Sequence, residues 1–144
     1  MTATNLFSAF NMLAMAGWII LVLGVILKRD WLRDVVAGTY IPVAISAAYA
    51  ILIVFFFARA EGGFDTLENV QKLFTSPWVA LAGWIHYLAF DLFVGSRIAR
   101  GTTEQGLPRW PLVALLPLTF LFGPIGYLAF EIIKASNLRR RTAP

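Results

Sequence analysis

The sequence contains no cysteine and a single histidine. The first absence excludes disulfides and thiolate metal sites, and one imidazole alone cannot complete an ordinary transition-metal site. Charge is scarce as well: 14% of the 144 residues are Asp, Glu, Lys or Arg, against 59% that are hydrophobic. Residues 1–27, 35–58 and 110–130 carry no such charge, and residues 73–96 carry only His86 and Asp91. A soluble domain of this length could not bury so much apolar surface and would expose adhesive patches. A bilayer is the fitting solvent. Each window reaches the roughly 20 residues needed to cross about 30 Å of hydrocarbon.

These windows predict an all-α polytopic membrane protein, a bundle of four transmembrane helices near 5–27, 36–58, 77–99 and 111–134. With no internal repeat or low-complexity linker, residues 1–144 read as a single membrane domain. The first window lacks a basic leader and a small-residue cleavage site before Lys28-Arg29-Asp30, so it reads as a span rather than a signal peptide. The net charge of +4 sits in short loops beside the spans, which suits lipid headgroups and excludes a nucleic-acid surface. The 12 Lys and Arg residues divide evenly between the two sides, so charge bias leaves the orientation open. Trp31, Trp78 and Trp110 mark span boundaries, where an amphipathic indole prefers the headgroup level. Trp18 and Trp84 lie mid-span and need another explanation. Between the second and third spans, Asp65 and Glu68 make a capping-box start. Phe64, Leu67, Val70 and Phe74 recur at helical spacing, which predicts a short interfacial helix ended by Ser76-Pro77.

The fourth span contains Pro117 and Gly123-Pro124. Each proline lacks a donor and frees a carbonyl one turn earlier, at Val113 and Phe120. In lipid such a carbonyl needs a partner within the bundle or a wet cavity. The outcome is either a structural kink or a pocket wall. Gly123 and Gly126 permit close backbone approach. Pro42, with Ser46 and Tyr49 beyond it, makes a weaker case of the same kind in the second span.

His86 and Asp91 are the chemical question. Asp91 falls within about 4 Å of the centre of the third span, where a charge costs roughly 2.5–3.5 kcal/mol on insertion scales. Hydrocarbon disfavours charge, so the expectation is a carboxylic acid able to donate, near an uncharged imidazole. Five positions apart, the two project about 140° from each other and cannot readily bond directly. Asp91 shares its face with Trp84, Leu88 and Gly95 and lies near Tyr87; His86 shares its face with Gly83, Phe90 and Phe93. In one reading the pair bonds to Asn11, Ser46, Tyr49 or Thr119 on neighbouring helices and fixes the packing. In the other, acid and base flank a ligand in a shared cleft. Glu131 is either half of an ion pair with Lys134 or a residue at the pocket rim.

The strings GWIHYLAFDLFVGSRIAR (83–100) and LTFLFGPIGYLAF (118–130), with KRDWLRD (28–34) compatible, resemble the abscisic-acid-deficient-four-like family of small four-helix membrane proteins. Plant members are implicated in making neoxanthin from violaxanthin, so the resemblance implies a carotenoid or other polyene lipid as substrate or ligand. The absence of a transit peptide points to a bacterial inner membrane, and so to a carotenoid other than neoxanthin. That plant conversion opens an epoxide while a proton is lost nearby. It needs an acid and a base and no redox cofactor. On that chemistry, Asp91 as acid and His86 as base would form the catalytic pair. Trp84, Tyr87, Phe90, Asn11, Tyr49, Thr119 and Glu131 would bind the substrate, with no cofactor and no metal. After the third span, where the family motif often continues with an acidic residue, this chain has Arg100-Gly101. Trp18, Phe55-Phe56-Phe57 and Phe93 add deep aromatic surface for a polyene, or simply pack between helices.

Two functions follow: a carotenoid-modifying enzyme of isomerase type, or a non-catalytic carotenoid carrier or pigment-complex subunit, with a homo-oligomer as one form of either. Proton translocation carries less weight, because one span alone holds central ionisable groups.

Overall fold

A computed structural model describes residues 2–142, with side chains as far as Leu138, so Arg139, Arg140 and Arg141 lie outside the described side chains. The described chain is all helical, in six elements: α1 (Ala3–Ile26), α2 (Trp31–Arg59), α3 (Leu67–Leu73), α4 (Pro77–Glu104), α5 (Leu112–Phe122) and α6 (Pro124–Thr142). Helices α1, α2 and α4, of 24, 29 and 28 residues, are long and apolar enough to cross a membrane. The segment expected as one span over 111–134 is instead two helices that part at Gly123. The 11 residues of α5 do not reach across hydrocarbon alone. The break falls where Pro124 withholds a donor and Gly123 leaves helical geometry.

Helix α4 is the most buried of the three long helices and packs against α1, α2, α5 and α6. Leu81, Ala82, Ile85, Leu88 and Ala89 join one core with Ala14, Ile45 and Leu52. Leu92, Ile98 and Ala99 join a second with Trp18, Leu21, Leu115 and Phe130. Asp91 falls at the boundary between the two.

Glycines set the α1–α4 spacing by a reciprocal exchange. Leu92 of α4 fills the space a Cβ on Gly17 would need, and the Trp18 ring does the same at Gly95. Such contacts replace the hydrophobic drive that lipid does not provide between helices. They also account for Trp18, which lies edge-on to Phe120 with ring centroids 5.5 Å apart. At the end of the bundle Phe56 stacks on Trp78 at 4.5 Å, and Phe57 on Phe64 at 5.4 Å.

Two local features depart from expectation. Helix α2 opens with ten π-helical residues, Trp31–Tyr40, a rare geometry that often accompanies a constraint. Here the constraint is Arg33. Expected among headgroup cations, it is buried: its guanidinium binds both Asp34 carboxyl oxygens at 2.7 Å, Asp30 at 3.0 Å and the Thr103 hydroxyl at 3.0 Å. An arginine can be buried this way because its planar fork is matched donor by acceptor. The second departure is the cap of α3. Thr66, rather than Asp65, accepts the Asn69 N–H, at 3.1 Å. Asp65 instead accepts from the Asn69 side chain, and Glu68 pairs with Lys72 at 2.8 Å. Ser76-Pro77 begins α4, with proline at its first turn.

A Cβ at Gly24 would lie 2.7 Å from the Arg33 backbone nitrogen. Gly24→Val is therefore expected to wedge α1 from α2 and to destabilise the protein by about 1–3 kcal/mol, the usual cost of overpacking. Thermal unfolding in detergent checks this, with exposed Ile26→Val as a control that leaves the midpoint within error.

Candidate functional site

Asp91 turns inward. It is 6% exposed, and its carboxyl group lies directly against Gly123, in the space a Cβ there would occupy. The break between α5 and α6 is thus built around this side chain. One turn earlier on α4, the Tyr87 hydroxyl donates toward the Phe120 carbonyl at 2.9 Å and the Leu121 carbonyl at 3.0 Å. Phe120 is the residue four before Pro124, whose carbonyl loses its helical donor to the proline ring. Tyr87 replaces that lost donor.

The Tyr87 hydroxyl also faces Asp91. Its one hydrogen is already shared between two backbone carbonyls, and Asp91 Oδ2 is buried without a hydrogen-bond partner. An uncharged Asp91 carries a second hydrogen. It can donate to the tyrosine oxygen and leave the tyrosine hydrogen to the backbone, in an ordered chain from α4 to the broken helix.

His86 turns outward, so the expected shared cleft for acid and base does not exist. The 140° between them on the helix places Asp91 against α5–α6 and the imidazole on the exposed face. The imidazole packs between Phe90, stacked at 4.6 Å, and Tyr49 of α2, at 5.3 Å, and makes no hydrogen bond among the described residues. Beside it runs a groove between α2 and α4 of about 270 Å³, lined by Gly38, Pro42 and Ser46 of α2 and Ala89, Phe90 and Phe93 of α4. Ser46, Tyr49 and His86 thus give a mostly apolar surface a polar edge. Sequence reasoning named all three but did not join them into one groove. It missed Gly38, which admits Ser96 to within 2.7 Å of its missing Cβ.

The remaining candidates resolve individually. The Trp84 indole donates to the Asn11 side-chain oxygen at 2.9 Å, which joins α4 to α1 and satisfies the indole N–H. Thr119 donates to the Leu115 carbonyl at 2.7 Å and fills the notch at Gly126, so it reaches neither Asp91 nor His86. Glu131 pairs with Lys134 at 2.7 Å and lines none of the grooves described here. Among the described residues, no group of three His, Cys, Asp or Glu side chains could hold a metal ion.

Removing the hydroxyl in Tyr87→Phe leaves the Phe120 carbonyl without its donor, at an expected cost of about 0.6–1.7 kcal/mol. Gly123→Ala drives a methyl group into the Asp91 carboxyl and is expected to cost more, about 1–3 kcal/mol. Combining it with Asp91→Ala should recover part of that loss. Unfolding midpoints of the four proteins of this cycle check the contact, and strict additivity would deny it.

No curated protein and no solved structure matches the chain. A sequence profile of the family described as ABA DEFICIENT 4-like matches residues 5–130, which takes in every helix from α1 through the first turns of α6. The inward Asp91, the outward His86 and the helix break that Asp91 abuts all lie within that match, and the chain belongs to the ABA DEFICIENT 4-like family.

Proposed function

We propose that the protein binds a carotenoid or related polyene lipid in the α2–α4 groove, with a polar end group of the ligand at His86. Family membership supports the ligand class through the resemblance to carotenoid-related members. The observation that carries the reading is the unpartnered imidazole, set on a lipid-facing aromatic surface inside a membrane helix. A neutral imidazole has one donor and one acceptor, and hydrocarbon satisfies neither. A hydroxyl, keto or epoxide oxygen on an otherwise apolar ligand meets that need. The flat faces of Phe90 and Tyr49 suit a conjugated body. With His86 beside the groove and Asp91 turned away from it, the geometry favours binding and presentation of the pigment.

A second reading, isomerase-type acid/base chemistry, is favoured by one observation: the orphaned Asp91 oxygen beside the helix break. There a proton held at Asp91 and Tyr87 would act on a ligand that enters between α4 and the broken segment.

The proposed membrane placement follows the same logic. Helix α5 and the apolar start of α6 together complete a fourth, broken span. Exposed Phe64, Leu67 and Phe74 around α3 lie in the headgroup layer.

Protein purified from a carotenoid-producing host is expected to show a carotenoid visible spectrum, and His86→Ala to lose about tenfold or more of its pigment while keeping its unfolding midpoint. A colourless wild type, or equal pigment in His86→Ala, overturns the binding site. Chromatography of the extracted pigment separates the two readings. An altered carotenoid that reverts in Asp91→Asn supports isomerisation, and bound but unaltered pigment supports carriage.

A further inference from the structure

A second trough lies between α1 and α5, separate from the α2–α4 groove. Its outer part encloses about 520 Å³ near Val25, Ile26, Arg109 and Trp110. A deeper part of about 180 Å³ runs on to Trp18 and Phe120. Val22, Leu116 and Pro117 line both, so the two form one continuous channel for an apolar chain, from the headgroup level to mid-membrane.

Arg109 lines the mouth, and Lys28 and Arg29 line a separate hollow just beyond the end of α1, two to three residues after Ile26 of the trough wall. Every nearby acid is already engaged: Asp30 and Asp34 by the buried Arg33, and Glu104 by Arg100 at 2.6 Å. Lys28, Arg29 and Arg109 have no such counterion among the described residues. Trp110, 77% exposed, stands at the same level as a headgroup anchor.

We infer that this trough holds one anionic phospholipid, with an acyl chain along Val22, Leu116 and Pro117 and the phosphate between Arg109 and the Lys28-Arg29 pair. Cation count and trough shape together select this occupant. A zwitterionic lipid fits the trough but leaves the mouth uncompensated, and a free phosphate compensates the mouth but leaves the trough empty. The inference is independent of the pigment site, which lies between α2 and α4 and shares no lining residue with this trough.

Native mass spectrometry and thermal unfolding of the detergent-solubilised protein test it, using phosphatidylglycerol, phosphatidylcholine with the same chains, and inorganic phosphate. Phosphatidylglycerol is expected to be retained and to raise the unfolding midpoint, with the other two giving much smaller effects. Arg109→Gln combined with Lys28→Gln is expected to weaken phosphatidylglycerol retention about tenfold or more, since each surface cation contributes appreciably to anionic-lipid attraction. Val113→Trp, at a side chain 82% exposed, should lower retention with the charge unchanged and without threatening the fold. Equal retention of the two lipids overturns the inference. So does stabilisation by inorganic phosphate matching that of phosphatidylglycerol, or an unchanged lipid preference in the double variant.

Discussion

Hydrocarbon offers no hydrogen-bond partner, so each polar group carried into it must be answered by another group of the protein or of a ligand. The bundle meets this demand nearly everywhere from within. Tyr87 serves the carbonyl that Pro124 strands, Trp84 and Asn11 serve each other, and Arg33 is enclosed by two aspartates and a threonine. The break between α5 and α6 is possible because Tyr87 covers its exposed acceptor and Gly123 leaves room for Asp91. Without that pair of contacts the α5–α6 segment would carry an unanswered backbone carbonyl.

The groups left unanswered are therefore informative. Two stand out, on opposite sides of α4. The Asp91 oxygen is buried against the helix break. The His86 imidazole is exposed between Phe90 and Tyr49, and no hydrogen bond reaches it among the described residues. The buried acid thus reads as a fastener for the helix break, and the outward imidazole as a contact for something that arrives through the membrane. The same division separates the proposed pigment groove along α2 and α4 from the proposed lipid trough along α1 and α5.

Much of this was legible in the sequence. Helical periodicity set His86 with Phe90 and Phe93 on one face and Asp91 with Leu88 and Gly95 on another, and that is how they stand. Proline chemistry located the stranded carbonyl at Phe120. What periodicity could not tell was which face met other helices, because α4 is apolar around much of its circumference and lipid gives no polar side to read. The cleft assumed to hold both groups failed for that reason. Arg33 was misread as a headgroup cation because its burial depends on Thr103, which is 70 residues away in sequence. The spacing Asp30-Arg33-Asp34 was the available signal. The π-helical opening of α2, which brings those groups together, leaves no comparable mark in composition.

The orientation of His86 is the claim on which the functional account turns, and the chain has only one histidine, so a histidine label reports it without assignment. Nitrogen NMR of histidine-labelled protein in bilayers doped with an acyl-chain paramagnetic lipid measures it directly. The account predicts strong broadening of the imidazole signals by the chain-borne probe, relieved when pigment occupies the groove. Sharp signals in pigment-free bilayers, untouched by the probe, would place the imidazole inside the bundle and contradict it.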